Sequence, residues 1–248
     1  MRILIFAGTS DGRELSYRLS EKYEVTVSVA TEYGRQLEEA YGEPGRIEVL
    51  SGRLSEDEME KLMKNFDVCI DATHPYAVEA GENIKRAAKS CGIKLFRLGR
   101  KACEIPEEAA VFDSAAEAAE YLKNKNGNVL IATGAKEIKE FAAVGLNRLT
   151  VRILPAEESL KNAKEAGLSD KNILTGVGPF SKEDNIKLIK EKRIEYFVTK
   201  DGGTAGGFPE KAEACRDCGI QLVVIKRPEG RNGMDAEEII REITKIVF

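Results

Sequence analysis

Apolar and polar positions fall in alternating blocks along this chain. Short β-prone apolar runs at 2–7, 24–30, 46–50, 67–71 and 94–98 are separated by stretches at 13–22, 35–41, 56–65 and 77–90, whose apolar residues recur three and four apart. The runs predict buried strands and the stretches predict helices with one apolar face. Ser55 followed by Glu58 has the spacing of a capping box, and Gly92 stands where a helix would end. Strand alternating with helix predicts parallel pairing through right-handed crossovers, a doubly wound sheet.

The pattern lapses between Gly99 and Ser114, where charges, Pro106 and the lack of a long run predict a connection. It then resumes, with strands expected at 128–132, 149–154, 173–175, 196–199 and 221–225, and helices at 115–123, 136–143, 156–166, 182–192, 210–218 and 235–246. This places one α/β domain over 1–100 and a second over 101–248, with a ligand cleft expected between them. The length of 248 residues suits two domains of the usual size, about 100–150 residues each.

Composition narrows the class. With 42% hydrophobic and 32% charged residues the chain reads as soluble and globular, and no segment approaches the roughly 20 apolar residues of a membrane span. Met1-Arg2 leads straight into a short apolar run that reads as a first strand and not as a signal-peptide core. A net charge of -4 argues against nucleic acid as the main partner. Five cysteines, an odd count, argue against a full disulfide framework and for a reducing cytoplasm. Cys215 and Cys218 have C-x-x-C spacing, but no second pair or nearby histidine completes a metal set, and two small residues on a packed helix is the simpler reading.

Candidate chemistry lies in the loops that follow strands, where open α/β sheets bind their ligands. The segment Asp71-Ala72-Thr73-His74-Pro75-Tyr76-Ala77 holds the only histidine of the chain. The segment Gly8-Thr9-Ser10-Asp11-Gly12-Arg13 opens a helix whose amides and dipole suit a phosphate, although it is not a full G-x-G-x-x-G. After the second strand, Glu32 suits a ribose hydroxyl and Arg35 an extra phosphate, so NADH and NADPH both stay open. In the second half, the loops Thr133-Gly134-Ala135-Lys136, Thr175-Gly176-Val177-Gly178-Pro179-Phe180 and 199–207 repeat the arrangement. Four glycines within Gly202 to Gly207 point to close backbone approach, and Lys136, Lys200 and Lys211 supply local positive charge for a carboxylate-rich ligand.

Taken in order, Gly8 to Arg13, Asp71 to Ala77, Gly178-Pro179-Phe180, Thr199-Lys200-Asp201-Gly202-Gly203 and Arg227-Pro228 make a set that resembles the precorrin-6A reductase family of cobalamin biosynthesis. The resemblance implies an α/β enzyme of two Rossmann-like domains, each with a mostly parallel sheet flanked by helices. It would use NADPH or NADH to deliver hydride to one double bond of precorrin-6A, or of its cobalt form, giving precorrin-6B. On that reading 1–100 is the dinucleotide-binding domain, through Gly8, Thr9, Ser10, Glu32, Arg35, Thr73, His74 and Tyr76. The tetrapyrrole side is 101–248, through Lys136, Gly178, Pro179, Phe180, Lys200, Asp201, Gly203 and Gly206. His74, Lys200 or water supplies the proton. The family often has a serine where this chain has Gly202. Rival readings are a tetrapyrrole-pathway transferase with a nucleoside cofactor and a non-enzymatic nucleotide sensor. The single histidine and the absence of G-x-S-x-G argue against a serine hydrolase.

Overall fold

The first apolar run becomes β1 (Arg2–Phe6), four of whose five residues are buried. In the computed structural model, which describes residues 1–41, 43, 45–99, 103–228 and 233–247, it is the middle strand of a five-stranded parallel sheet. Along the chain follow α1 (Ser10–Ser20), β2 (Glu24–Val29), α2 (Glu32–Glu39), β3 (Glu48–Ser51), α3 (Glu56–Met63), β4 (Val68–Asp71), α4 (Val78–Cys91) and β5 (Lys94–Arg97). The strand order is β3-β2-β1-β4-β5. The Ser55 capping box is present, and Gly92 ends α4 at φ 68, a left-handed conformation that suits glycine.

Alternation along β1 makes two cores. Ile3 and Ile5 pack with Leu15 and Leu19 of α1, whereas Leu4 and Phe6 pack with Met59 and Met63 of α3 and Ile84 of α4. Each fully buried aliphatic side chain contributes roughly 1.5–3 kcal/mol, so a sheet covered on both faces is held by its central strand from both sides.

A second unit holds β6 (Ala110–Phe112), α5 (Ala115–Lys123), β7 (Asn128–Ala132), β8 (Leu149–Ile153), α6 (Glu157–Glu165), β9 (Ile173–Thr175), α7 (Lys182–Lys192), β10 (Ile194–Lys200), α8 (Phe208–Cys218) and β11 (Gln221–Ile225). Its order, read from the far edge, is β9-β8-β7-β10-β11-β6. Apart from β6 this is the order of the first sheet, strand for strand. β6 lies where a connection was expected; three half-buried residues are too few to show a period, and pairing to β11 makes them a strand. The helix expected at 136–143 is instead a 3-10 segment, Ile138–Val144. Its buried residues Ile138, Phe141 and Val144 recur every three positions, the repeat of that tighter helix.

The chain then returns to the first unit. Pro228–Phe248 groups with Met1–Arg100, and Lys101–Arg227 stands apart, so the expected span of 101–248 for one domain is corrected at its C-terminal end. The expected junction between residues 100 and 101 lies outside the described residues. Two features carry the correction: Met234 bridges Leu98 beyond β5, and α9 (Ala236–Val247) inserts Ile239 and Ile243 into the core beside α1. Four residues apart, these isoleucines share one helix face, and only topology decides which sheet that face covers.

Among the described residues no helix is long and apolar enough to cross a membrane. Replacing Ile239 by Ala is expected to cost about 2–5 kcal/mol. Hydrogen exchange should show lost protection in β1, β2 and α1 with that of β7 and β10 retained; the reverse pattern would refute the assignment of α9.

Candidate functional site

In each sheet the chain runs outward in two directions from one pair of neighbouring strands, and the crevice beyond their carboxyl ends is where such sheets bind ligands. In the first unit the pair is β1 and β4, with Phe6 level with Asp71. Thr9, buried at the N-cap of α1, accepts from the Gly12 amide at 3.0 Å and donates to the Ala72 carbonyl at 3.2 Å, joining the loops of the two strands. A Cβ on Gly12 would lie 2.9 Å from that of Ala72, so only glycine lets α1 come so close. Gly8 has φ +150 and nothing within 4 Å of where its Cβ would be, and Gly8 and Ser10 are exposed.

The loop after β4 is fixed by a buried ion pair. Arg97, at the end of β5, pairs with Asp71, whose side chain is 4% exposed, and donates to the Thr73 hydroxyl at 3.0 Å and carbonyl at 2.8 Å. Asp71 in turn accepts from the Thr73 amide at 3.0 Å and hydroxyl at 2.6 Å. His74 follows on this fixed turn, half-buried, with Nδ1 accepting from the Tyr76 amide at 3.3 Å and the two rings 5.5 Å apart. Glu32 and Arg35, expected on the loop after β2, lie instead in the first turn of α2, which Thr31 caps; Glu32 accepts from Ser51 at 3.0 Å and Arg35 donates to Glu39 at 2.7 Å, a contact that raises the guanidinium pKa.

The second unit repeats the plan at β7 and β10, where Ala132 is level with Thr199. Asp201 accepts from the Gly203 amide at 3.2 Å, as Asp71 does from Thr73, and pairs with Arg227 at 3.4 Å, as Asp71 does with Arg97. The Asp201 carboxylate, 6% exposed, is thus committed to shaping its own loop. A Cβ on Gly202 would lie 3.3 Å from the Gly206 Cα, so a serine here would press on the fold of this loop. Lys200 pairs with Glu137 at 2.9 Å, and Lys136 and Gly134, the latter at φ +92, are exposed beside them. Thr133 Oγ1 is buried there without a hydrogen-bond partner among the described residues. The Gly178-Pro179 loop, its peptide cis, reaches this cluster: a Cβ on Gly207 would lie 3.2 Å from that of Pro179. Phe180 stacks 4.0 Å from the Arg152 guanidinium.

The structure therefore gathers Gly8, Thr9, Ser10, Thr73, His74 and Tyr76 in one unit, with Glu32 and Arg35 in the first turn of α2. It gathers Lys136, Gly178, Pro179, Phe180, Lys200, Asp201, Gly203 and Gly206 in the other. Arg97 and Arg152 are not singled out in the sequence, and Arg227 appears there only within Arg227-Pro228, because an arginine within or just past an apolar run reads as an interruption; Asp71, ending β4, and Asp201, just past β10, are the signal for Arg97 and Arg227. Cys215 and Cys218 lie in or against the core of the second unit, and burial pushes the Cys215 thiol up to about 12. A surface cavity of about 630 Å³ lined by Arg2, Glu24 and Glu48 lies at the amino ends of the first sheet, away from these loops.

Comparison with known proteins identifies the family and the fold. The family described as "Precorrin-6x reductase CbiJ/CobK" matches residues 2–244. The chain is 34% identical over 237 residues to a cobalt-precorrin-6A reductase of Methanothermobacter thermautotrophicus, covering 92% of this chain and 77% of that protein. It is 30% identical over 256 residues to one of Methanocaldococcus jannaschii, covering 99% of each. A solved structure titled "CobK precorrin-6A reductase" superposes with a TM-score of 0.81 at 21% identity, covering 99% of this chain and 97% of that one, and so shows the same fold.

Removing one member of a buried ion pair costs about 3–5 kcal/mol, because the other is left charged and unpaired. Asp71→Ala is expected to lower stability by that order in urea unfolding, and Asp71→Ala with Arg97→Ala to cost at least about 1 kcal/mol less than the sum of the single variants. Strict additivity would refute the clamp.

Proposed function

Because the chain belongs to the precorrin-6x reductase CbiJ/CobK family, we propose that it reduces one double bond of cobalt-precorrin-6A with hydride from NADPH or NADH, giving the 6B product in cobalamin biosynthesis. The cobalt form is chosen because the relatives of Methanothermobacter and Methanocaldococcus carry it in their names. The reaction is placed in the cytoplasm, where five free cysteines stay reduced.

The observation that carries this reading is the crevice between β1 and β4. The open space beyond Gly8 and the first turn of α1 beside it fit a pyrophosphate, with backbone approach and a positive helix end. Gly8, Thr9 and Ser10 would hold that group, Glu32 or Arg35 the ribose end, and Thr73, His74 and Tyr76 the nicotinamide end. When bound, the nicotinamide supplies the hydride, and the protein's own task is placement. The Asp71–Arg97 clamp keeps the His74 turn rigid, so His74 serves position more than proton transfer.

On the other unit Lys136, Gly178, Pro179, Phe180, Lys200, Gly203 and Gly206 would meet the macrocycle, with Asp201 setting the loop. Reduction also consumes a proton, and Lys200 holds it: its ammonium, 16% exposed, is kept in place by Glu137 at 2.9 Å.

Anaerobic turnover, followed by the absorbance of the macrocycle, is expected with cobalt-precorrin-6A and a reduced nicotinamide; running NADPH and NADH in parallel identifies the donor, and no oxidation of either sinks the reading. His74→Ala should raise the KM for the dinucleotide about tenfold with kcat down less than about threefold, whereas Lys200→Met should lower kcat about 10²–10⁴-fold. A large kcat loss in His74→Ala alone would exchange the two roles.

A further inference from the structure

The second unit holds a buried cation, Arg152, and a half-buried one, Lys211, neither paired to a carboxylate among the described residues. Arg152, 8% exposed on the penultimate residue of β8, lies 4.0 Å from the Phe180 ring and 5.7 Å from that of Phe197. Its one hydrogen bond among the described residues goes to the Asn185 side-chain oxygen at 2.8 Å. Asn185 is itself fully buried, with its amide fixed on the Ser181 carbonyl at 2.8 Å and the Phe180 carbonyl at 3.4 Å. Lys211, in the first turn of α8, donates to the Gly206 carbonyl at 2.8 Å.

The charged groups that face them do not neutralise them. Glu210 lies near Lys211 but forms no ion pair with it among the described residues, and its Oε2 is buried without a hydrogen-bond partner. Asp184 is exposed and accepts from the Ser181 amide at 3.3 Å in the cap of α7. One half-buried carboxylate against two cations leaves the site net positive. Desolvation, together with the charge of Arg152, lowers Lys211 to about 8, and desolvation lowers Arg152 to about 10. Like charges held out of water are a strain on the fold unless an anion relieves it. A stacked guanidinium and an ammonium close enough to feel its charge are a pair of groups suited to a carboxylate.

Both cations touch loops already placed at the macrocycle, Arg152 through Phe180 and Lys211 through Gly206. We infer that Arg152 and Lys211 form a carboxylate subsite that seats one acidic arm of the tetrapyrrole, an assignment that rests on the reading of the second unit as the substrate side. The arm anchors the macrocycle at one edge, fixing its rotation in the plane so that a single carbon meets the hydride. Because the ammonium must be protonated to bind, affinity falls as pH rises through about 8.

The test measures binding and turnover separately. Uroporphyrin, a stable polycarboxylate tetrapyrrole, is titrated by fluorescence quenching into the wild type, Arg152→Gln, Lys211→Met and Lys211→Arg. A charge-assisted hydrogen bond lost on binding should weaken the first two variants about tenfold to hundredfold, with dinucleotide affinity and circular dichroism retained. Lys211→Arg should restore most of the loss, and wild-type affinity should fall above pH 8 while Lys211→Met loses that dependence. With cobalt-precorrin-6A the loss should appear in KM and not in kcat. Unchanged affinity in both neutral variants, or a kcat loss at constant KM, overturns the subsite. Binding of uroporphyrin through the pair by a wild type that does not reduce cobalt-precorrin-6A would uphold the subsite and reject the reductase reading.

Discussion

An aspartate at or just past the end of one strand, paired with an arginine at or just past the end of its neighbour, holds the loop at the carboxyl end of each sheet. In the first unit the pair is Asp71 with Arg97, and in the second Asp201 with Arg227. Each carboxylate also takes the amide two residues ahead, so a single buried side chain turns the loop and ties it to the adjacent strand. Without that constraint His74 and the glycine-rich loop would both sit on segments that lose backbone entropy for little return. Burial makes the pair effective: the charges are screened little by water, and neither partner has an inexpensive alternative.

The two units share strand order and clamp but differ in what the clamp presents. In the first the turn carries Thr73, His74 and Tyr76, compact and largely bonded to itself. In the second it carries Gly203, Gly206 and Gly207, of which Gly203 and Gly207 are buried and Gly207 packs against Pro179. One scaffold thus carries two different loops, because the sheet fixes where the loops stand and the loops decide what fits.

Much of the architecture is legible in the chain because buried parallel strands are continuous apolar runs, and both site loops stand out as Gly, Thr and Asp following such runs. What escapes has physical reasons. β6 is too short to show a period, and Ile138, Phe141 and Val144 look helical until their spacing of three is weighed. Arg152 sits within Leu149–Ile153, where a charge reads as an outward residue, yet it stacks between rings. The face of α9 is plain from Ile239 and Ile243, but an amphipathic face does not name its partner; linear order assigns it to the nearest sheet, and the fold to the farthest.

That return of α9 bears on synthesis. The first unit has its five strands in hand by Arg97, yet its core stays open beside α1 until Ile239 and Ile243 arrive. At a translation rate of about 5–20 residues per second, that face waits several seconds or more while the whole of the second unit emerges. The second unit, with no later segment to await, can finish first, so the N-terminal half of this chain is the last to mature and the one that stands in need of shelter on the ribosome.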